Sequence, residues 1–315
     1  MIRLGVLGAA SVARRRTLPA LRAVPELRLV AVASSDADRA AAITAEFGGE
    51  PVTGYAALLD RSDVDAVYVP VPTGLHARWT VEALKAGKHV LVEKPTTTST
   101  EDTAALIDLA AANGLVLAEN FTFLHHRQHA LAAELLADGA IGELRDVDAS
   151  FGFPPLAATD VRYSAELGGG ALLDAGVYPI RLAMLFLGGD PRVCGASAVV
   201  DGVDVAGACL LADAAGVTAR LAYGFTHGYR NAYTLWGSAG SLTVPWAFSP
   251  PSDHKAIIIL DRGGVRTERV AGPDAQFANT ARAFARAILG VGPPPDHASM
   301  LATARLVDQV RSASH

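Results

Sequence analysis

The chain has 315 residues, half of them hydrophobic, with a formal net charge of −5, which supports one large or two ordinary domains and argues against a nucleic-acid or anionic-membrane surface. No apolar run reaches the roughly 18 residues of a membrane span, and the apolar part of MIRLGVLGAA is too short and Gly-rich for a signal peptide. Two cysteines, Cys194 and Cys209, form neither a disulfide framework nor a zinc spacing, so a reducing cytoplasm is expected.

Over the first 120 residues, short apolar runs alternate with helical spacing. Strands are expected at Ile2–Leu7, Leu27–Ala33, Ala66–Val69, Val90–Val92 and Leu115–Ala118. Helices are expected at Ser11–Ala23, with a kink at Pro19, and at Asp36–Phe47, His76–Ala86 and Ser99–Ala112, where Ser99 and Asp102 form a capping box. Strands alternating with helices in right-handed crossovers predict a doubly wound parallel sheet, a Rossmann-type α/β domain over residues 1–121. Beyond about residue 140, alternating segments appear at Leu144–Phe153, Val193–Val200, Ala206–Ala212, Val217–Phe225, Asn231–Trp236 and Ala256–Leu260, with turns such as Asp201-Gly202 and Gly263-Gly264. They predict an open, mostly antiparallel sheet in an α+β domain over residues 122–315, one face covered by helices near 170–187, 275–289 and 298–312.

Gly8-Ala9-Ala10-Ser11-Val12-Ala13 follows the first strand, where a dinucleotide fingerprint belongs. Gly8 allows the tight turn, and the helix start at Ser11 and Val12 offers N–H groups to a pyrophosphate. Ala10 and Ala13 replace the second and third glycines, so an ordinary strand–turn–helix is the competing reading. After the second strand the chain places Ser34-Ser35 rather than the carboxylate that accepts from the ribose of NAD. With Arg15, Arg16 and Arg39 nearby, this favours NADP(H); a solvated arginine face is the alternative.

His89-Val90-Leu91-Val92 ends abruptly in Glu93-Lys94-Pro95. In doubly wound sheets ligands bind beyond the carboxyl ends of the strands, where Lys94, Thr73 and Glu119 fall. Hydride transfer to a carbonyl leaves an alkoxide, which an ammonium can stabilise and protonate. A cis Lys94–Pro95 bond fits the position. A lysine that only reaches solvent at a strand end is the other reading.

The ordered motifs GVLGAASVA, YVPVPTGLHARW, AGKHVLVEKP, ENF and GGGALLDAGVYPIR resemble the glucose–fructose oxidoreductase, inositol dehydrogenase and MocA (Gfo/Idh/MocA) family. The resemblance implies that Lys94 is catalytic and that Pro72, Thr73, His76, Glu93 and Glu119 line the nicotinamide side. Tyr178 stands four residues after Asp174, where many members have histidine. On a helix the two share a face, so Tyr178 can relay a proton while Asp174 orients a hydroxyl or Lys94. FLHHRQH, ASFGFPP, DVRYSAELGGGALLDAGVYPIR and AYTLWGSAGSL narrow the resemblance to dTDP-sugar 3-ketoreductases, which reduce a 3-keto group with NADPH. This implies a dTDP-keto-sugar substrate, with Arg162, Tyr163, His227, Tyr229 and Tyr233 as candidate nucleotide contacts; Arg162 could instead approach the cofactor. A homodimer or homotetramer is expected. His125, His126 and His129 have metal-like spacing, but no cysteine or carboxylate completes a set, and no metal is expected. The competing functions are a dehydrogenase of a free sugar or dihydrodiol, and a non-catalytic dinucleotide-sensing regulator.

Overall fold

The structure, a computed structural model, describes residues Met1–Ser314 as two compact units. The first comprises Met1–Thr122 and Phe277–Leu301; the second comprises Phe123–Gln276 and, of the described residues, 302–314.

In the first unit, β1 (Ile2–Leu7), a short α1 (Leu18–Leu21), β2 (Leu27–Ser34), α2 (Ala37–Phe47), β3 (Glu50–Thr53), α3 (Tyr55–Leu59), β4 (Ala66–Val69), α4 (His76–Lys85), β5 (His89–Val92), α5 (Thr100–Ala112) and β6 (Leu117–Glu119) follow one another. The six strands are parallel, in the order β3-β2-β1-β4-β5-β6. The order reverses between β1 and β4, the place where a doubly wound sheet opens its ligand crevice. Apart from the exposed β3, the strands are mostly buried on both faces, which is why they read as unbroken apolar runs. Leu4, Val6, Tyr68 and Leu91 face Leu18, Leu21 and Ile43, while Val67, Val69, Val90 and Val92 face Leu58, Leu84, Leu106 and Ala110.

Two segments depart from the sequence reading. The helix Gln276–Ile288, expected against the second sheet, places Ala278, Ala281, Phe284 and Ala285 in the same core as Leu4 and Val6. Its apolar stripe fits any flat apolar partner, so periodicity alone did not choose the sheet. Around Pro19 the expected helix is not uniformly α-helical: a π-helical turn over Ala13–Thr17 precedes the α-helical Leu18–Leu21. A second π turn, Leu172–Gly176, precedes Pro179. In both, the residue four before the proline lies inside the widened turn, which relieves the clash of the ring with that carbonyl.

The second unit contains α6 (Arg127–Ala137), β7 (Leu144–Gly152), α7 (Val177–Ala183), β8 (Arg192–Asp201), β9 (Val203–Ala212), β10 (Thr218–Gly224), β11 (Arg230–Gly237), β12 (Ser241–Val244), β13 (Ala256–Arg262) and β14 (Val265–Gly272). The eight strands run β14-β13-β12-β11-β7-β10-β9-β8 and are antiparallel except where β7 meets β10. Asp201-Gly202 and Gly263-Gly264 are the expected hairpin turns. The short β3, α3 and β12, and the strongly polar β14, gave too little apolar alternation to be seen in the sequence. No helix among the described residues is long and apolar enough to cross a membrane.

Candidate active site

At the carboxyl ends of β1, β2 and β4, Gly8 adopts φ +126°, and its N–H donates to Ala33 O at 2.9 Å. A Cβ there would lie 3.3 Å from Val71 Cγ1, in a conformation that side chains rarely adopt. Ala10 O accepts from Arg14 N, so the helix opens immediately after this turn, with Ser11 and Val12 exposed in it. Ser34 is buried and its Oγ accepts from Asp36 N at 3.1 Å; the Asp36 carboxylate in turn caps α2 through Asp38 N and Arg39 N. Ser34 therefore shapes the turn, while Ser35 and Arg39 stand exposed beside it. Arg39 Nη2 donates to Ala9 O at 3.0 Å, tying α2 to the Gly8 turn. Arg14 pairs with Glu46, whereas Arg15 and Arg16 are exposed on the same turn of helix. A close-approach glycine, a helix start and an exposed Arg39 beside Ser35 fit a dinucleotide carrying a 2′-phosphate.

Lys94, half-buried, lies one residue beyond Glu93, whose N–H donates to Val69 O. Its neighbours are each anchored to a different strand end. The Glu93 carboxylate accepts from Tyr68 Oη on β4 at 2.5 Å and from Asn120 Nδ2 beyond β6 at 2.6 Å. With Tyr68 donating to Glu93, Thr17 Oγ1 donates to Tyr68 at 3.1 Å. Burial pushes the Glu93 carboxyl up, opposed by the hydrogen bonds from Tyr68 and Asn120 and by the Lys94 charge. The Lys94–Pro95 peptide bond is cis. Pro95 O lies 2.8 Å from His76 Nδ1, and His76 Nε2 lies 2.8 Å from Val71 O. Thr96 N and Oγ1 both donate to Glu119 Oε1, at 2.8 and 3.0 Å. Glu93, His76 and Glu119 thus form a frame behind Lys94, while Pro72 and Thr73 lead into α4 through the turn Thr73–Leu75. Tyr68, Thr17 and Thr96 escaped the sequence reading, which placed Asn120 at a strand end facing the crevice but not as a partner of Glu93. The available signal was Tyr68 itself, a phenol in the all-buried strand Ala66–Val69 that needs a partner for its hydroxyl.

In the second unit, Arg162 Nε donates to Asp174 Oδ2 at 2.7 Å and its Nη1 to Asp160 Oδ1 at 3.2 Å. The glycine run holds this loop by its backbone. Gly169 N donates to Ser164 O and Gly170 N to Arg162 O, both at 2.9 Å. Gly170 adopts φ +113°, with Asp204 Oδ1 only 2.1 Å from where a Cβ would stand. Asp204 Oδ2 accepts from Leu172 N at 2.6 Å, which fixes the start of the helix bearing Asp174. Asp174 lies in the π turn and Tyr178 in α7, so the spacing read as one α-helical face spans a wider turn. The Tyr178 ring is surrounded by Phe123, Phe151 and Phe248, at centroid distances of 5.8, 5.0 and 5.5 Å. Three aromatic walls fix the ring plane and hence the direction of its hydroxyl.

Of the candidate nucleotide contacts, Tyr163 stacks edge-on against Phe225, its hydroxyl accepting from Leu156 N, and His227 and Tyr229 are exposed. Tyr233 is not brought to the surface with them: it is 1% exposed, and its hydroxyl lies 3.2 Å from His129 Nδ1. His129 Nε2 meets Ala247 O, and His126 Nδ1 caps α6 by accepting from Gln128 N. Among the described residues no three His, Cys, Asp or Glu are grouped to hold a metal ion.

Burial lowers His76 to about 4 and His129 to about 3. Below about pH 6.5 the unfolded chain binds protons that these rings refuse, so stability present above that pH is lost as pH falls toward those values. Urea titrations from about pH 7 to about pH 5 should show a loss approaching 1.4 kcal/mol per pH unit for each ring. His129→Gln should flatten that slope; an unchanged slope would show that His129 is already protonated in the fold.

Residues 2–121 match the oxidoreductase family with an NAD-binding Rossmann fold, and residues 129–243 match the Gfo/Idh/MocA C-terminal domain. The chain belongs to the Gfo/Idh/MocA family. It is 49% identical, over 99% of its length and 97% of the relative's, to the dTDP-3,4-didehydro-2,6-dideoxy-α-D-glucose 3-reductase of Saccharopolyspora spinosa. It is 35% identical, over 97% of its length and 95% of the relative's, to D-xylose 1-dehydrogenase (NADP⁺) 2 of Haloferax volcanii. The crystal structure of KijD10, a 3-ketoreductase from Actinomadura kijaniata in complex with NADP and TDP-benzene, superimposes with a TM-score of 0.97 at 48% identity, covering 99% of this chain and 97% of that one. KijD10 variants in which a lysine becomes alanine or a tyrosine becomes phenylalanine also hold both ligands.

Proposed function

We propose that the protein is an NADP(H)-dependent reductase of the 3-keto group of a dTDP-linked 2,6-dideoxy-hexose. The observation that carries this reading is the 49% identity to a 3-reductase of that substrate class across both units. NADPH, when bound, supplies hydride to the carbonyl carbon. Gly8, Ala10, Ser11 and Val12 receive its pyrophosphate, and Arg39, aided by Ser35 and by Arg15 or Arg16, receives the 2′-phosphate. Lys94 stabilises the alkoxide as it forms and gives it a proton, which solvent later restores to the amine. Tyr178 hydrogen-bonds a substrate oxygen and relays its proton. Asp174, held by Arg162, orients a sugar hydroxyl. Tyr163, His227 and Tyr229 receive the nucleotide, and Tyr233 acts behind them through His129. The net change is ketone plus NADPH plus a proton to alcohol plus NADP⁺.

Calorimetric titration tests the binding half of this reading. Wild-type protein should bind both NADPH and dTDP; absence of dTDP affinity would overturn the nucleotide-sugar assignment. Arg39→Ala should weaken NADPH by on the order of tenfold, the size of a lost charge-assisted hydrogen bond, with NADH little changed. Equal loss for both cofactors would remove Arg39 from the 2′-phosphate.

A cytoplasmic homodimer or homotetramer completes the reading. Neither Cys194 nor Cys209 is in a disulfide, and the second unit exposes Val199, Val200, Leu210 and Trp236. Light scattering should return a mass above that of one chain; a monomer would refute the assembly.

A further inference from the structure

We propose that His76 is a positioning residue for Lys94, its Nδ1–H holding the Pro95 carbonyl and so fixing where the preceding lysine projects. His76 opens α4 and is 1% exposed. Its ring lies between two backbone carbonyls, Pro95 O at Nδ1 and Val71 O at Nε2, each 2.8 Å away. No polar atom of the ring is left to meet a ligand, so a role on the nicotinamide side runs through the backbone rather than through direct contact. The two carbonyls belong to different strand ends: Val71 follows β4, and Pro95 follows β5 by way of Lys94. One ring on the first turn of a helix therefore stands between the exits of neighbouring strands.

The segment after Lys94 is also secured by the Glu119 carboxylate at Thr96 and by Thr103 at Thr97, and Glu93 is held by Tyr68 and Asn120. The Pro95 carbonyl lies in the chain between the anchored Glu93 and Thr96. Burial and the Lys94 charge keep the imidazole neutral, so it has one N–H to place between two acceptors. The bond to Pro95 is the one that bears on Lys94. Losing it frees a single peptide next to the acid, and displacement of a reacting group by about 1 Å costs on the order of a hundredfold in rate.

This inference rests on Lys94 being the acid, and the experiment separates the two. His76→Asn keeps a donor near the Nδ1 position, His76→Gln keeps one near Nε2, and His76→Leu keeps neither. Each variant and Lys94→Ala would be assayed with NADPH and dTDP-3,4-didehydro-2,6-dideoxy-α-D-glucose, with melting temperature and NADPH affinity measured alongside. The expected result is that Gln and Leu lower kcat by about 10- to 100-fold while KM and NADPH affinity stay within about twofold, and that Asn restores most of kcat. Gln matching wild type, or Asn failing as badly as Leu while equally stable, would overturn the role of the Pro95 bond with Lys94 untouched. If Lys94→Ala keeps full turnover, the acid assignment fails and the positioning role falls with it. Should Leu not fold, the Asn–Gln comparison decides alone.

Discussion

Lys94→Ala should leave NADPH binding within a few-fold of wild type and lower kcat by about 10²- to 10⁴-fold, the contribution of one positioned general acid. That corresponds to about 3–5 kcal/mol of transition-state stabilisation. The expectation follows from the anchoring of residues 93, 95 and 96 around a single half-buried ammonium. A chain whose three neighbours are held by four partners, Tyr68, Asn120, His76 and Glu119, fixes where Lys94 projects, and that preorganisation is what a proton donor requires. Lys94→Arg sharpens the test. Arginine keeps the charge but does not give up a proton in a protein, so its turnover should stay low. Recovery to near wild-type rates with arginine would leave Lys94 an electrostatic role only, and full turnover by the alanine variant would remove it from the chemistry.

Gly169→Ala should destabilise the second unit and disable the Arg162–Asp174 pair together. A Cβ at Gly169 would stand 2.4 Å from Arg162 O and 2.8 Å from Ser164 O. Both are backbone atoms of the loop that Gly169 and Gly170 hold by hydrogen bonds, so no flexible side chain can move aside. A cost of about 3 kcal/mol or more is expected, lowering the melting temperature by roughly 6–12 °C. The displaced loop carries Arg162, and Asp174 then loses its partner. Gly195→Ala is the matched control: nothing lies within 4 Å of its Cβ position, and the change should be neutral or slightly stabilising. A Gly169→Ala protein as stable and active as that control would show that the glycine run is not required for close approach.

These two predictions differ in how far the sequence alone reached. Lys94 stood out because a hydrated cation follows an all-apolar strand, although a lysine that only reaches solvent there was the competing reading. Its bracing was not legible. Tyr68 lies on β4, Thr96 beyond β5 and Asn120 beyond β6, and they reach Glu93 and Glu119 only when the three strands are in register, with Tyr68 paired to Leu91 and Leu91 to Ala118. The GGG run was legible as a motif, while its physical reason, backbone crowding at Arg162 and an aspartate at Gly170, needed coordinates. Ser34 shows the reverse case. The missing carboxylate at the end of β2 was read correctly from the sequence, but the hydroxyl turned out to serve Asp36 N rather than face outward. Element type was clear wherever runs were long and apolar. It failed at Glu50–Thr53 and Val265–Gly272, whose exposed residues gave no periodic signal, and at the two π turns, which no propensity encodes.

The most direct measurement follows NADPH consumption with dTDP-3,4-didehydro-2,6-dideoxy-α-D-glucose, the product identified by NMR, beside parallel reactions with free D-xylose. The expected result is stoichiometric loss of NADPH, reduction at C3 of the nucleotide-linked sugar, and little activity on the free sugar. Oxidation of the free sugar with NADP⁺ and no response to the nucleotide sugar, or tight NADPH binding with no turnover at all, would contradict it.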